Sequence, residues 1–121
     1  MGRINYSFIY KNIRIKNLVE EENLGIVIGT IISCEKVKGT ERLHIVKIDI
    51  GEKTIQVVTG VPGDFEPNYL IDKQIPLKID VSPVKIRGID SEARFITTIG
   101  DNKETVLLVP EKNIPNGSEV W

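Results

Sequence analysis

Between Leu43 and Thr59 the chain reads as two apolar-alternating runs around Gly51-Glu52-Lys53. Val46, Ile48 and Ile50 alternate with Lys47 and Asp49, which gives a strand with one wet face; the second run, Thr54 to Thr59, follows the glycine-led turn. Period-two alternation beside a short polar turn predicts a β-hairpin. The rest of the chain is made of the same material, with 20 Ile and 12 Val against 7 Leu and a single Ala, Ala93. β-Branched side chains lose rotamer freedom on a helix and pack well on a pleated sheet, so an all-helical fold is excluded. At 121 residues the chain is one domain that can bury a core without disulfide or metal staples.

Further strands are expected over Gly25 to Val37, Gln74 to Val81, Phe95 to Ile99 and Thr105 to Val109. Gly29 inside the first marks a bulge or bend. Ser82-Pro83 interrupts the chain after the second of these, and Gly100-Asp101-Asn102-Lys103 joins the last two. The loop from Gly60 to Asp72 contains Pro67-Asn68-Tyr69-Leu70, a start for one helical turn. Many short strands are expected to form a closed or nearly closed barrel, because closure removes exposed sheet edges. Residues 1–22 read as an N-terminal extension, a strand or an arm, in which Tyr6, Phe8, Tyr10, Ile13 and Ile15 alternate with polar positions. Glu20-Glu21-Glu22 separates it from the body at 23–121.

Sixteen basic and seventeen acidic side chains leave a formal charge of −1, so no global attraction to nucleic acid or to an anionic membrane follows. The charges are zoned, however. Arg3, Lys11, Arg14 and Lys16 face no acid within residues 1–19, whereas Glu20, Glu21, Glu22 and Glu35 dominate the next stretch. A single cysteine, Cys34, cannot pair internally, and the expected compartment is the reducing cytoplasm. The longest apolar run, Ile26 to Ile32, is interrupted by Gly29 and Thr30 and is too short to span a bilayer, so no membrane partner is expected.

Little in the chain suggests an enzyme. Cys34 continues the phase of Ile26, Ile28 and Ile32 and is expected to face the core, while the only histidine, His44, opens the next strand at its rim. A Cys–His dyad is therefore disfavoured. Asp64, Glu66 and Asp72 lack the glycine spacing of a calcium loop, and Gly60-Val61-Pro62-Gly63 lacks the Lys and the helix of a phosphate loop. Neither a cofactor nor a metal is expected.

One stretch is specific. Val84-Lys85-Ile86-Arg87-Gly88-Ile89-Asp90-Ser91-Glu92 resembles the K-(I/M/L)-(R/M)-G-x-x-S-(E/Q)-G-M signature of the tRNA-binding OB-fold domain. That family includes stand-alone dimeric tRNA-binding proteins, the C-terminal appendage of many methionyl-tRNA synthetases and a cytokine-like domain of multisynthetase complexes. The similarity runs from about Gly25 to Val120, through Glu41-Arg42-Leu43, Lys47-Ile48-Asp49-Ile50-Gly51, Gln56-Val57-Val58-Thr59-Gly60-Val61 and Ile114-Pro115-Asn116-Gly117. Two departures stand out: Ala93-Arg94 occupies the place of Gly-Met, and Val37-Lys38-Gly39-Thr40 replaces a His-Pro-containing turn. A positive φ at the family glycine would leave Ala93 strained.

The resemblance implies an all-β OB-fold, a five-stranded Greek-key barrel with the N-terminal extension and an extra C-terminal strand. It implies non-catalytic binding of tRNA or another structured RNA, as a homodimer or as a synthetase appendage. On such a barrel the ligand crosses strands 2 and 3 between the loops joining strands 1–2 and 4–5. Lys36, Lys38 and Arg42 flank the first loop, and Lys85, Arg87 and Arg94 lie in the second region. These six cations are the candidate phosphate contacts. Ser91 and Glu92 either join them or are structural, with Ser91 bonding a turn amide and Glu92 pairing with Arg87. The rival readings are a peptide-binding module resembling a secretion chaperone and a docking module that joins synthetases without touching RNA. Phosphate contacts weaken steeply with salt, and an apolar peptide groove does not.

Overall fold

The computed structural model describes residues 24–66 and 68–121. The expected extension at 1–22 lies outside them, as does Pro67. Strand β1 (Ile26–Lys36) pairs antiparallel with β4 (Gln74–Lys78) along its first half and with β2 (His44–Asp49) along its second. Strand β2 returns as β3 (Thr54–Thr59) through the hairpin expected at Gly51-Glu52-Lys53. A 3-10 turn at Val61–Asp64 leads into the loop before β4. Next come the short hairpin β5 (Val84–Ile86) and β6 (Ile89–Ser91), then β7 (Arg94–Phe95), which pairs with β4. A last hairpin joins β8 (Thr97–Ile99) to β9 (Thr105–Leu107).

The principal sheet has the order β3-β2-β1-β4-β7 and curls on itself. Its open side is bridged where Glu92 N–H donates to the Gln56 carbonyl at 2.8 Å, which ties the β6–β7 stretch to β3. The expected OB-type barrel is thus formed. Its C-terminal addition is present too: Gly117 N–H and Val120 N–H bond the carbonyls of Ile28 and Ile26, and Ile28 N–H bonds Ser118 C=O, at 2.7–2.9 Å. Ile31, Val46, Ile48, Val57, Ile75 and Leu77 fill the interior with almost no exposure. Each such burial contributes roughly 1.5–3 kcal/mol before chain entropy is set against it.

The phase of β1 differs from the expectation. The register to β2 slips between Ile31 and Ser33, and Ile32 is 47% exposed rather than core-facing. Cys34 still packs against the core, because the extra residue at the bulge restores the inward phase after Ile31. Gly29 is not the bulge. A Cβ there would lie 2.6 Å from Ile48 Cγ2, so the glycine lets a large core side chain approach β1.

Alternation also missed the breaks in the shortest strands. The β5–β6 hairpin turns on Arg87 and Gly88 with φ of 56° and 79°, the two left-handed positions of a tight turn. The run Phe95 to Ile99 divides at Ile96 into β7 and β8, and β4 stops at Lys78. Ala93 has no positive φ and is 4% exposed, so an alanine replaces the family glycine here without backbone strain.

Gly51 sits at φ 98°, and a Cβ on it would meet the Asn116 carbonyl oxygen at 2.6 Å, whereas Gly39, at φ 84°, has open space around it. Both Gly→Ala variants carry a backbone cost of about 1–2 kcal/mol. Gly51→Ala must also push the C-terminal segment away, and is expected to lower urea stability clearly more than Gly39→Ala.

Candidate nucleic-acid interface

The signature residues first act on the barrel itself. Ser91 is 6% exposed, and its hydroxyl oxygen accepts the Val58 N–H at 3.0 Å. Glu92 accepts the Gln56 N–H at 2.8 Å, and the Gln56 side-chain amide donates to the Asp90 carbonyl at 2.8 Å. Together with the Glu92–Gln56 backbone bond, these contacts fasten β6 to β3. The bond expected at Ser91 is therefore made to a strand amide, and Glu92 finds Gln56 rather than Arg87. Sequence reasoning missed Gln56, which carries no signal beyond its place in the Gln-Val-Val-Thr-Gly run.

Fastening β6 fixes the β5–β6 hairpin that presents Lys85 and Arg87. From its tip, Arg87 Nη2 reaches the Gly39 carbonyl at 3.4 Å, so the hairpin touches the turn after β1 that carries Lys38. The two expected loops do meet. Lys85 is 70% exposed and pairs with Asp90 at 2.7 Å. Arg42 turns the other way, pairing with Asp64 at 2.5 Å and approaching the Gly60 carbonyl. Asp64 also accepts from the Thr105 hydroxyl; that bond and the Arg42 guanidinium hold its carboxyl below the usual range. Lys36 points into a separate cleft beside His44 and Glu41. Arg94 lies on β7 opposite Lys78, at the edge of an apolar cleft lined by Val61, Val84, Ile86 and Phe95.

Thus Arg87 reaches the turn that carries Lys38 from the hairpin that also carries Lys85, whereas Lys36, Arg42 and Arg94 make their contacts elsewhere. Among the described residues no group of acids, histidines and cysteines is arranged to hold a metal ion. Burial pushes the Cys34 thiol up, the opposite of what an activated nucleophile needs. No helix among the described residues is long and apolar enough to cross a membrane.

Replacing Ser91 by Ala leaves the buried Val58 N–H without its acceptor, which costs about 1–3 kcal/mol. Urea unfolding is expected to register that loss, while Glu92→Gln, which keeps an acceptor oxygen, stays near the parent.

A family model described as "Putative tRNA binding domain" matches residues 26–119. The methionine–tRNA ligase of Methanothrix thermoacetophila is 34% identical over 94 residues, covering 78% of this chain and 14% of the ligase. That of Archaeoglobus fulgidus is 34% identical over 99 residues, 82% of this chain and 15% of the ligase. The chain therefore spans about a seventh of these relatives. Among solved structures, the MetRS related protein of Pyrococcus horikoshii superposes with a TM-score of 0.73 at 25% identity, over 79% of this chain and 88% of that one. The chaperone CsaA of Bacillus anthracis superposes at 0.74 and 26% identity, over 87% and 97%. With the signature residues closing an OB-type barrel and the family match running nearly its whole described length, the chain belongs to the tRNA-binding domain family.

Proposed function

We propose that this chain binds tRNA non-catalytically, through the surface where the turn after β1 meets the β5–β6 hairpin. The observation that carries the reading is the contact of Arg87 with the Gly39 carbonyl, which draws the cations of two loops toward one RNA surface. Lys38, Lys85 and Arg87 make the central phosphate contacts, flanked by Lys36, Arg42 and Arg94. Ser91 and Glu92 act by holding the hairpin in place. A net charge of −1 limits long-range attraction, so recognition depends on fitting a folded backbone. The ligase relatives support a role beside a methionyl-tRNA synthetase, as its appendage or its partner. Exposed Ile99 and Val109, at 70% and 59%, support association with a second copy.

The likeness to CsaA and the apolar cleft of about 340 Å³ under Arg94 favour one alternative, the binding of an apolar peptide segment. Salt separates the two. Binding to total tRNA, measured across a salt series with duplex DNA as control, is expected to fall steeply with salt and to prefer tRNA. Lys85→Ala with Arg87→Ala should weaken it and flatten the log–log salt slope by about two. A folded protein that binds no tRNA at low salt refutes the reading, and salt-independent capture of apolar peptide replaces it.

A further inference from the structure

We infer that the cleft between the ends of β1 and β2 and the β3–β4 loop receives one unstacked nucleobase of the bound RNA, with guanine preferred. The inference rests on the tRNA reading above and assigns that surface a base-reading subsite. The cleft encloses about 390 Å³, within the roughly 300–1,000 Å³ of small-molecule sites. Pro62, Phe65, Leu70 and Cys34 form its apolar walls. RNA-binding proteins read unpaired bases by stacking them on aromatic rings and bonding their edges. Phe65 is preset for such a role: it stacks on Tyr69 with centroids 5.2 Å apart and planes 6° from parallel. Tyr69 in turn carries Lys73 Nζ over its ring, 4.2 Å from the centroid. The spacing Phe65, Tyr69, Lys73 is the sequence trace of this column.

The polar groups of the cleft choose the base. His44 Nδ1 lies 2.8 Å from the Arg42 carbonyl. A carbonyl can only accept, so Nδ1 is the donor in that bond. Glu41 and Glu66 add carboxylate acceptors, and Asn68 adds an amide. An acceptor-rich cleft suits the base that offers two donors side by side. Guanine presents N1–H and N2–H₂ to one carboxylate, whereas uracil offers a single N–H between two carbonyls and adenine and cytosine set a lone amino group beside an acceptor nitrogen. Lys36, on the same cleft, meets the attached phosphate.

Cys34 lines the cleft and is the only cysteine of the chain, so its alkylation by iodoacetamide reports occupancy. In the full chain, GMP at several times its Kd is expected to slow that alkylation about fivefold or more. UMP and ribose 5-phosphate at the same concentration should slow it far less. Glu41→Gln, at an exposed position, should erase the advantage of GMP over UMP. Equal protection by ribose 5-phosphate and GMP would overturn the inference in favour of a phosphate site. So would tRNA that binds and shields Cys34 when GMP does not, because the RNA would then merely cover the cleft. Protection by GMP in a protein that fails to bind tRNA would keep the base site and remove the tRNA reading. Absence of both would remove the two together.

Discussion

Strand β1 bonds to β4 and the C-terminal segment along one half and to β2 along the other, and this division of one strand between two halves of the barrel sets everything else. A strand shared in this way must bend. The slip at Ile32 gives the bend, and Gly29 lets Ile48 close against the strand before it. The far end of β1 then emerges at Lys36 and turns through Lys38 and Gly39, the place where the β5–β6 hairpin arrives. The packing of the core thereby positions the charged loops.

Closure comes from polar chemistry rather than from a long ladder. Between β3 and the β6–β7 stretch the bonds run through Gln56, Val58, Ser91 and Glu92, two of them to side chains that replace strand partners. Buried backbone N–H groups need acceptors, and the signature supplies them. The signature is thus at once a structural clasp and the mount for Lys85 and Arg87. Ser91 and Glu92, which close the barrel, lie only four to seven positions from Lys85 and Arg87.

The hairpin at Gly51, the β content and the barrel were legible because alternation and β-branched composition act locally and agree with each other. The bulge at Ile32 was not, since nothing in Ile31-Ile32-Ser33 marks which residue loses its partner. The family motif named candidate cations but not which of them are paired. Lys85 meets Asp90 across its own hairpin, but Arg42 is paired by Asp64 from another segment, and pairing across 22 residues leaves no periodic trace. Likewise the cleft around His44 is assembled from β1, β2 and the β3–β4 loop, three stretches separated in the sequence.

The central claim is that RNA meets the junction of the two loops. Amide shift mapping of the nitrogen-15-labelled protein, titrated with tRNA at low salt, tests it most directly. The account predicts that the perturbed amides cluster at Lys36 to Arg42 and at Val84 to Arg94 and that duplex DNA reproduces them only weakly. Perturbations confined to β8–β9 and the C-terminal segment, with the two loops silent, would contradict it.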